Sequence, residues 1–109
     1  MRRGEIWTIA GGPDDAGKPR PAIILQSDKF DATRSVTVCP LTSTPADNVY
    51  ARFALAPSQA NGLKVASHAM VDKISTIPKP KLRRRIGRLD SYDISLLNRN
   101  VVLFLGLAE

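Results

Sequence analysis

The sequence predicts a mainly β fold, a small antiparallel sheet bent strongly on itself or closed as a barrel, with one C-terminal α-helix. Three observations carry this expectation. Short apolar and β-branched segments recur between clusters of Gly, Pro, Asn and Asp, the punctuation of a chain that turns often. Residues 48–55 alternate apolar and polar, as a half-buried strand does. Beyond Asp90 the apolar spacing lengthens to three and four, the period of a helix. At 109 residues the chain is the size of a single domain, 1–109, with room for one modest core.

The first strand is expected over Arg3–Ala10, around Ile6, Trp7 and Ile9, and Trp7 reads as core packing. Gly and Asp with Pro13 make residues 11–17 an exposed loop, its tip carrying Asp14 and Asp15. Pro21–Gln26 is a continuous apolar strand, Ser27–Thr33 a connector with room for one helical turn, and Val36–Leu41 a third strand. In the fourth, Val49, Ala51, Phe53 and Leu55 share one face and Tyr50, Arg52 and Ala54 the other. Pro57–Gly62 is a loop with an Asn61–Gly62 turn signal, and Val65–Ile77 supplies further strand material. Lys79, Lys81, Arg83, Arg84, Arg85 and Arg88 place six cations within ten positions, which reads equally as a solvated basic loop and as a polyanion-binding surface. Asp90 is placed to cap a helix of about 15 residues, with Asp93 in its first turn. Ile94, Leu97, Val101, Phe104 and Leu105 would form the buried stripe, widened by Leu96, Val102 and Leu103 enough to serve a subunit contact as well. No internal repeat, linker or low-complexity tract interrupts the chain.

Composition narrows the function. The longest apolar run, 101–108, is far short of the roughly 20 residues of a membrane span. Met1–Arg2–Arg3 leads straight into strand-like residues with no apolar stretch, so no secretory signal is expected and the cytoplasm is the expected compartment. The lone Cys39 cannot form an internal disulfide and reads as a small buried strand residue. A net charge of +6 suits a polyanion, and equally an acidic protein segment.

The richest chemical signal is Arg20. Pro19 and Pro21 stiffen the backbone on either side, so its planar, permanently charged guanidinium projects from a fixed base suited to a phosphate. Thr42 and Ser43, at the end of the third strand, could join it in gripping one phosphodiester. No cluster of His, Asp, Glu and Cys has metal-ligand spacing, so neither metal nor cofactor is expected. His68 is the only histidine and reads as structural or surface.

Taken in order, these pieces resemble the MazF/PemK/Kid family of ribonuclease toxins from bacterial toxin–antitoxin pairs. The resemblance runs through Arg3–Gly4–Glu5–Ile6–Trp7, Gly17–Leu25 with Arg20–Pro21 at its centre, and Val38–Ser43. It continues through Gly62–Leu63, Val71–Ile77, and Leu82, Ile86, Gly87 and Leu89, nearly the whole chain. It implies an SH3-like barrel, a homodimer, and single-stranded RNA bound near the dimer interface. It also implies metal-independent cleavage in which the 2′-hydroxyl attacks, leaving a 2′,3′-cyclic phosphate and a 5′-hydroxyl, with inhibition by an acidic, partly disordered antitoxin tail. The family's catalytic arginine and threonine fall on Arg20 and Thr42, and Lys18, Ser43 and Asp72 are read as RNA contacts. Where some members carry an arginine two positions before the residue matching Asp72, this chain has Met70. Two rivals stand beside the nuclease. One is a gyrase-directed toxin like the CcdB group, which relies on a tryptophan-containing carboxyl terminus, whereas the only tryptophan here is Trp7. The other is a catalytically silent RNA-binding barrel.

Overall fold

The computed structural model describes residues 1–11, 18–45 and 51–109. Seven strands and one helix follow in chain order: β1 Glu5–Ile9, β2 Arg20–Ile24, β3 Ser35–Thr42, β4 Arg52–Leu55, β5 Ser67–Met70, β6 Ser75–Pro78, β7 Leu82–Arg88 and α1 Ser91–Phe104. Every strand pairing is antiparallel, in the order β4-β5-β3-β2-β1-β7, with β6 also on β3. This is the strongly bent sheet with a terminal helix that the sequence predicts; its end strands β4 and β7 are not neighbours, so the described sheet is open. Of the loop expected over 11–17, all but Gly11 lies outside the described residues, as do positions 48–50 of the expected fourth strand.

The bend is made at β3. Ser35–Val38 pair with β6 and Leu41–Thr42 with β5, so one edge of the strand exchanges partners along its length. The strand material of Val65–Ile77 is accordingly two strands, divided by a 3₁₀ turn at Val71–Lys73. The basic segment is a further departure, because Leu82–Arg88 forms the end strand β7 against β1. Arg85 there donates to Glu5 (2.9 Å), which also accepts from the Trp7 indole (3.1 Å) and the Arg2 backbone (2.8 Å). Burial pushes the Glu5 carboxyl up, but these three donors outweigh it and leave its pKa below the ordinary value.

Alternation divides the apolar residues between the two faces of the sheet. Ile6, Ile23, Cys39, Leu41, Phe53, Leu55 and Ala69 gather with Leu97 of α1 on one face, while Ala22, Ile24, Val36 and Val38 pack with Trp7 and Ile9 on the other. Trp7 is partly buried and packs against this second cluster, which agrees with the packing role expected of it. Asp90 caps the helix by accepting from the Asp93 backbone N–H at 2.8 Å. Helix α1 packs on β4 and the 71–73 turn, and its stripe is narrower than predicted: Leu97 is buried and Ile94 and Val101 half-buried, but Phe104 and Leu105 are exposed. Arg3 ties this helix to the sheet, donating to the Leu25 carbonyl (2.7 Å) and to Asn98 (2.8 Å). Gly62 permits the turn before β5: its φ is +69°, and an added Cβ would lie 1.9 Å from the Ile86 carbonyl oxygen.

Candidate active site

Arg20 is the first residue of β2 and Thr42 the last of β3. These strands run antiparallel with Ala22 opposite Pro40, Ile23 opposite Cys39 and Ile24 opposite Val38. The pairing ends at Ala22 and Pro40, and Arg20 and Thr42 each lie two residues beyond that last pair, at the same end of their strands and on the same alternating face. On the outer sides, Arg20 lies opposite Ile9 of β1, Thr42 opposite His68 of β5, and His68 opposite Ala54 of β4. Residues opposed across antiparallel strands point to the same face. Arg20, Thr42 and His68 thus form a transverse row on the face away from the helix, at the edge of the smaller apolar cluster.

Arg20 is exposed and Thr42 half-buried. The Thr42 hydroxyl oxygen accepts from the Thr44 backbone N–H at 3.1 Å, a local turn that orients the hydroxyl and starts the chain away from β3. Ser43 is exposed beside it, and Lys18 is exposed two residues before Arg20. Four of the five predicted site residues therefore lie at one end of β2 and β3.

Asp72 is committed elsewhere. In the 71–73 turn it receives a two-pronged pair from Arg52 of β4, Nε to Oδ1 at 2.9 Å and Nη2 to Oδ2 at 3.1 Å. That pair ties the turn to β4, a structural job for a residue read as an RNA contact. Arg52 itself was missed as part of this region; its position on the polar side of an alternating strand was the available signal. In the strand register Arg52 stands directly opposite Met70 and diagonally from His68. Hydrogen bonding from Arg52 holds the Asp72 carboxyl below its ordinary pKa of 3.8. A depressed carboxyl stabilises the fold above the unfolded-state pKa and loses that contribution as pH falls through the folded one. Arg52→Ala is expected to cost about 1–2 kcal/mol at pH 7, between an exposed ion pair and a charged hydrogen bond. The deficit should shrink as urea melts are taken below pH 3.8, and a deficit constant down to pH 2 would contradict this account.

Cys39 is buried behind this row, on the helix side. Burial first, and then the Asp72 charge, push its thiol up to about 12, so it supplies no thiolate nucleophile. On that same helix side, below the foot of β2, lies a hollow of about 680 Å³. Pro19, Pro21, Leu63 and Val65 give it an apolar lining, and Arg83 and Arg84 of β7 a cationic one. The two prolines beside Arg20 thus face this hollow while Arg20 faces the opposite way.

A family profile described as PemK-like, MazF-like toxin of type II toxin–antitoxin system matches residues 2–105. A protein of Mycolicibacterium smegmatis named probable endoribonuclease MazF is 44% identical over 108 residues, 99% of each chain. Endoribonuclease MazF9 of Mycobacterium tuberculosis is 34% identical over 116 aligned positions, 98% of each. Among solved structures, an endoribonuclease in complex with its cognate antitoxin, from a mycobacterial species, superposes with a TM-score of 0.83 at 22% identity, covering 98% of this chain and 96% of that one. A profile spanning nearly every residue, together with full-length relatives, places this chain in the PemK-like, MazF-like toxin family.

Proposed function

We propose that the chain is the toxin of a toxin–antitoxin module, an endoribonuclease that cuts single-stranded RNA at short sequences without a metal. What supports the reading is that Arg20 and Thr42 stand at the same end of neighbouring strands β2 and β3, in a family whose full-length relatives bear the name endoribonuclease. RNA carries its own nucleophile, so the protein's task is to align the 2′-hydroxyl with the phosphorus and to neutralise charge growing on the phosphoryl oxygens. The Arg20 guanidinium can donate to both non-bridging oxygens, and the Thr42 hydroxyl to one of them. As O2′ bonds to phosphorus and the P–O5′ bond breaks, the products are a 2′,3′-cyclic phosphate and a 5′-hydroxyl. Lys18 and Ser43 flank this point and serve the neighbouring backbone. Asp72 serves indirectly, by fixing the strand pair next to the row.

The active form is a homodimer acting in the cytoplasm, and its inhibitor is an acidic antitoxin segment attracted by the +6 charge. Incubation with a long, weakly structured RNA in excess EDTA is expected to give discrete cuts bearing 5′-hydroxyl ends. Binding should weaken with salt, with a log–log slope of about −3 if roughly four phosphates of a single strand are contacted. RNA left intact in both EDTA and magnesium would overturn the nuclease reading. Cleavage that EDTA abolishes would overturn its metal-independent form.

A further inference from the structure

The row leaves one side chain without an assigned role. His68 stands directly opposite Thr42, where facing Cβ atoms are about 4.5–5.5 Å apart, and on the same face two strands from Arg20. The residue is half-buried, and its Nδ1 is a buried side-chain nitrogen with no hydrogen-bond partner among the described residues. A proton placed on that nitrogen would be a buried N–H without an acceptor, which costs about 1–3 kcal/mol. The environment therefore favours the tautomer that carries its proton on Nε2 and leaves only a lone pair inside. In that tautomer the ring offers Nε2–H as its hydrogen-bond donor.

We propose that His68 is a third catalytic donor, its Nε2–H bonding a phosphoryl oxygen of the scissile phosphodiester beside the Thr42 hydroxyl and the Arg20 guanidinium. The inference rests on the RNA-cleavage reading and adds a residue to that site. Adjacent strands are about 4.8 Å apart, so donors from β2, β3 and β5 converge on one phosphate with Thr42 in the middle. Among the described residues, those paired around His68 do not compete for this place. Ala54, opposite it on β4, carries no polar group; Arg52, on the diagonal, is occupied by Asp72; and Asp72 is held in turn by both prongs of that pair. No proton leaves His68 in this role. It binds charge that grows on the phosphoryl oxygen as O2′ adds and O5′ departs, while the 2′-hydroxyl proton is lost to solvent water and solvent water returns a proton to O5′.

The test uses side chains that mimic one ring nitrogen at a time. Glutamine places an amide N–H near the position of Nε2, and asparagine near that of Nδ1. His68→Ala and His68→Asn are expected to lower kcat for a defined RNA about 10²-fold, the scale of one lost oxyanion donor, with KM changed less than threefold. His68→Gln should stay within about fivefold of the parent. An RNA carrying a 2′-deoxy sugar at the cut site, which binds but cannot react, should show the same Kd for all four proteins. A kcat for His68→Asn within threefold of the parent would overturn the proposal, as would equal losses in His68→Gln and His68→Asn. If His68→Ala does not fold, the Gln and Asn pair still decides the question. A parent protein that fails to cut any RNA would instead sink the nuclease reading itself.

Discussion

Arg20→Ala is expected to cut RNA about 10²–10³ times more slowly than the parent chain, through kcat, while keeping its fold. The size of the effect follows from the role proposed for the guanidinium. A cation with two parallel donors binds a phosphodiester more strongly as charge accumulates on its oxygens, so its loss raises the barrier more than it weakens ground-state binding. Arg20→Lys should recover only part of the rate, since an ammonium keeps the charge without the fork. Thr42→Ala should fall nearer the lower end of the same range, because a neutral hydroxyl supplies a single donor. Arg20 is exposed at the first position of its strand, so the variant should still fold, which circular dichroism checks. Unchanged cleavage at unchanged sites would remove Arg20 from the mechanism. Unchanged RNA binding with no cleavage by the parent would point to the silent barrel.

The largest stability effect is expected at Leu97. It is 0% exposed and is the α1 residue buried within the cluster formed by Ile6, Ile23, Cys39, Leu41 and Phe53, so the helix is held to the sheet largely through it. Leu97→Ala removes three carbons from a packed interior and should cost about 2–5 kcal/mol. Against the 5–15 kcal/mol typical of a whole domain, that lowers the melting midpoint by roughly 10–20 °C. Leu103→Ala is the control on the same helix. Leu103 is 52% exposed, and its loss should leave the isolated chain within about 0.5 kcal/mol of the parent. Equal effects at the two positions in urea melts would show that the helix is not anchored through its inner face.

Much of this architecture was legible in the sequence because it was encoded locally. The first three strands announced themselves by β-branched and apolar runs, and the helix by Asp90 and the change of period after it. β7 was hidden for a physical reason. Arg83, Arg84 and Arg85 are consecutive and exposed, and the register against β1 shifts twice, so no period of two survives. β5 and β6 were fused in the sequence reading because the 71–73 turn that divides them contains Val71, a buried apolar residue, and no glycine or proline. The proposed site divides in the same way. Arg20, with a proline on either side, and Thr42, at a strand end, carry local signals. The Arg52–Asp72 pair and the alignment of Thr42 with His68 depend on which strands meet and in what register. A register between β3 and β5, some 25 residues apart, is settled by tertiary packing rather than by any local stretch.

The exchange of partners along β3 bears on how this molecule would fail under heat. β2 lies along one edge of that strand and β6 and then β5 along the other, so three strands must release it before it can move. Such a segment opens only in the costliest fluctuations of a protein, those close to complete unfolding. Thr42 ends this strand, so the ordering entropy of its backbone is spent during folding and not when a ligand arrives. Inactivation and melting should then be one event, the hydroxyl keeping its place until the sheet itself comes apart.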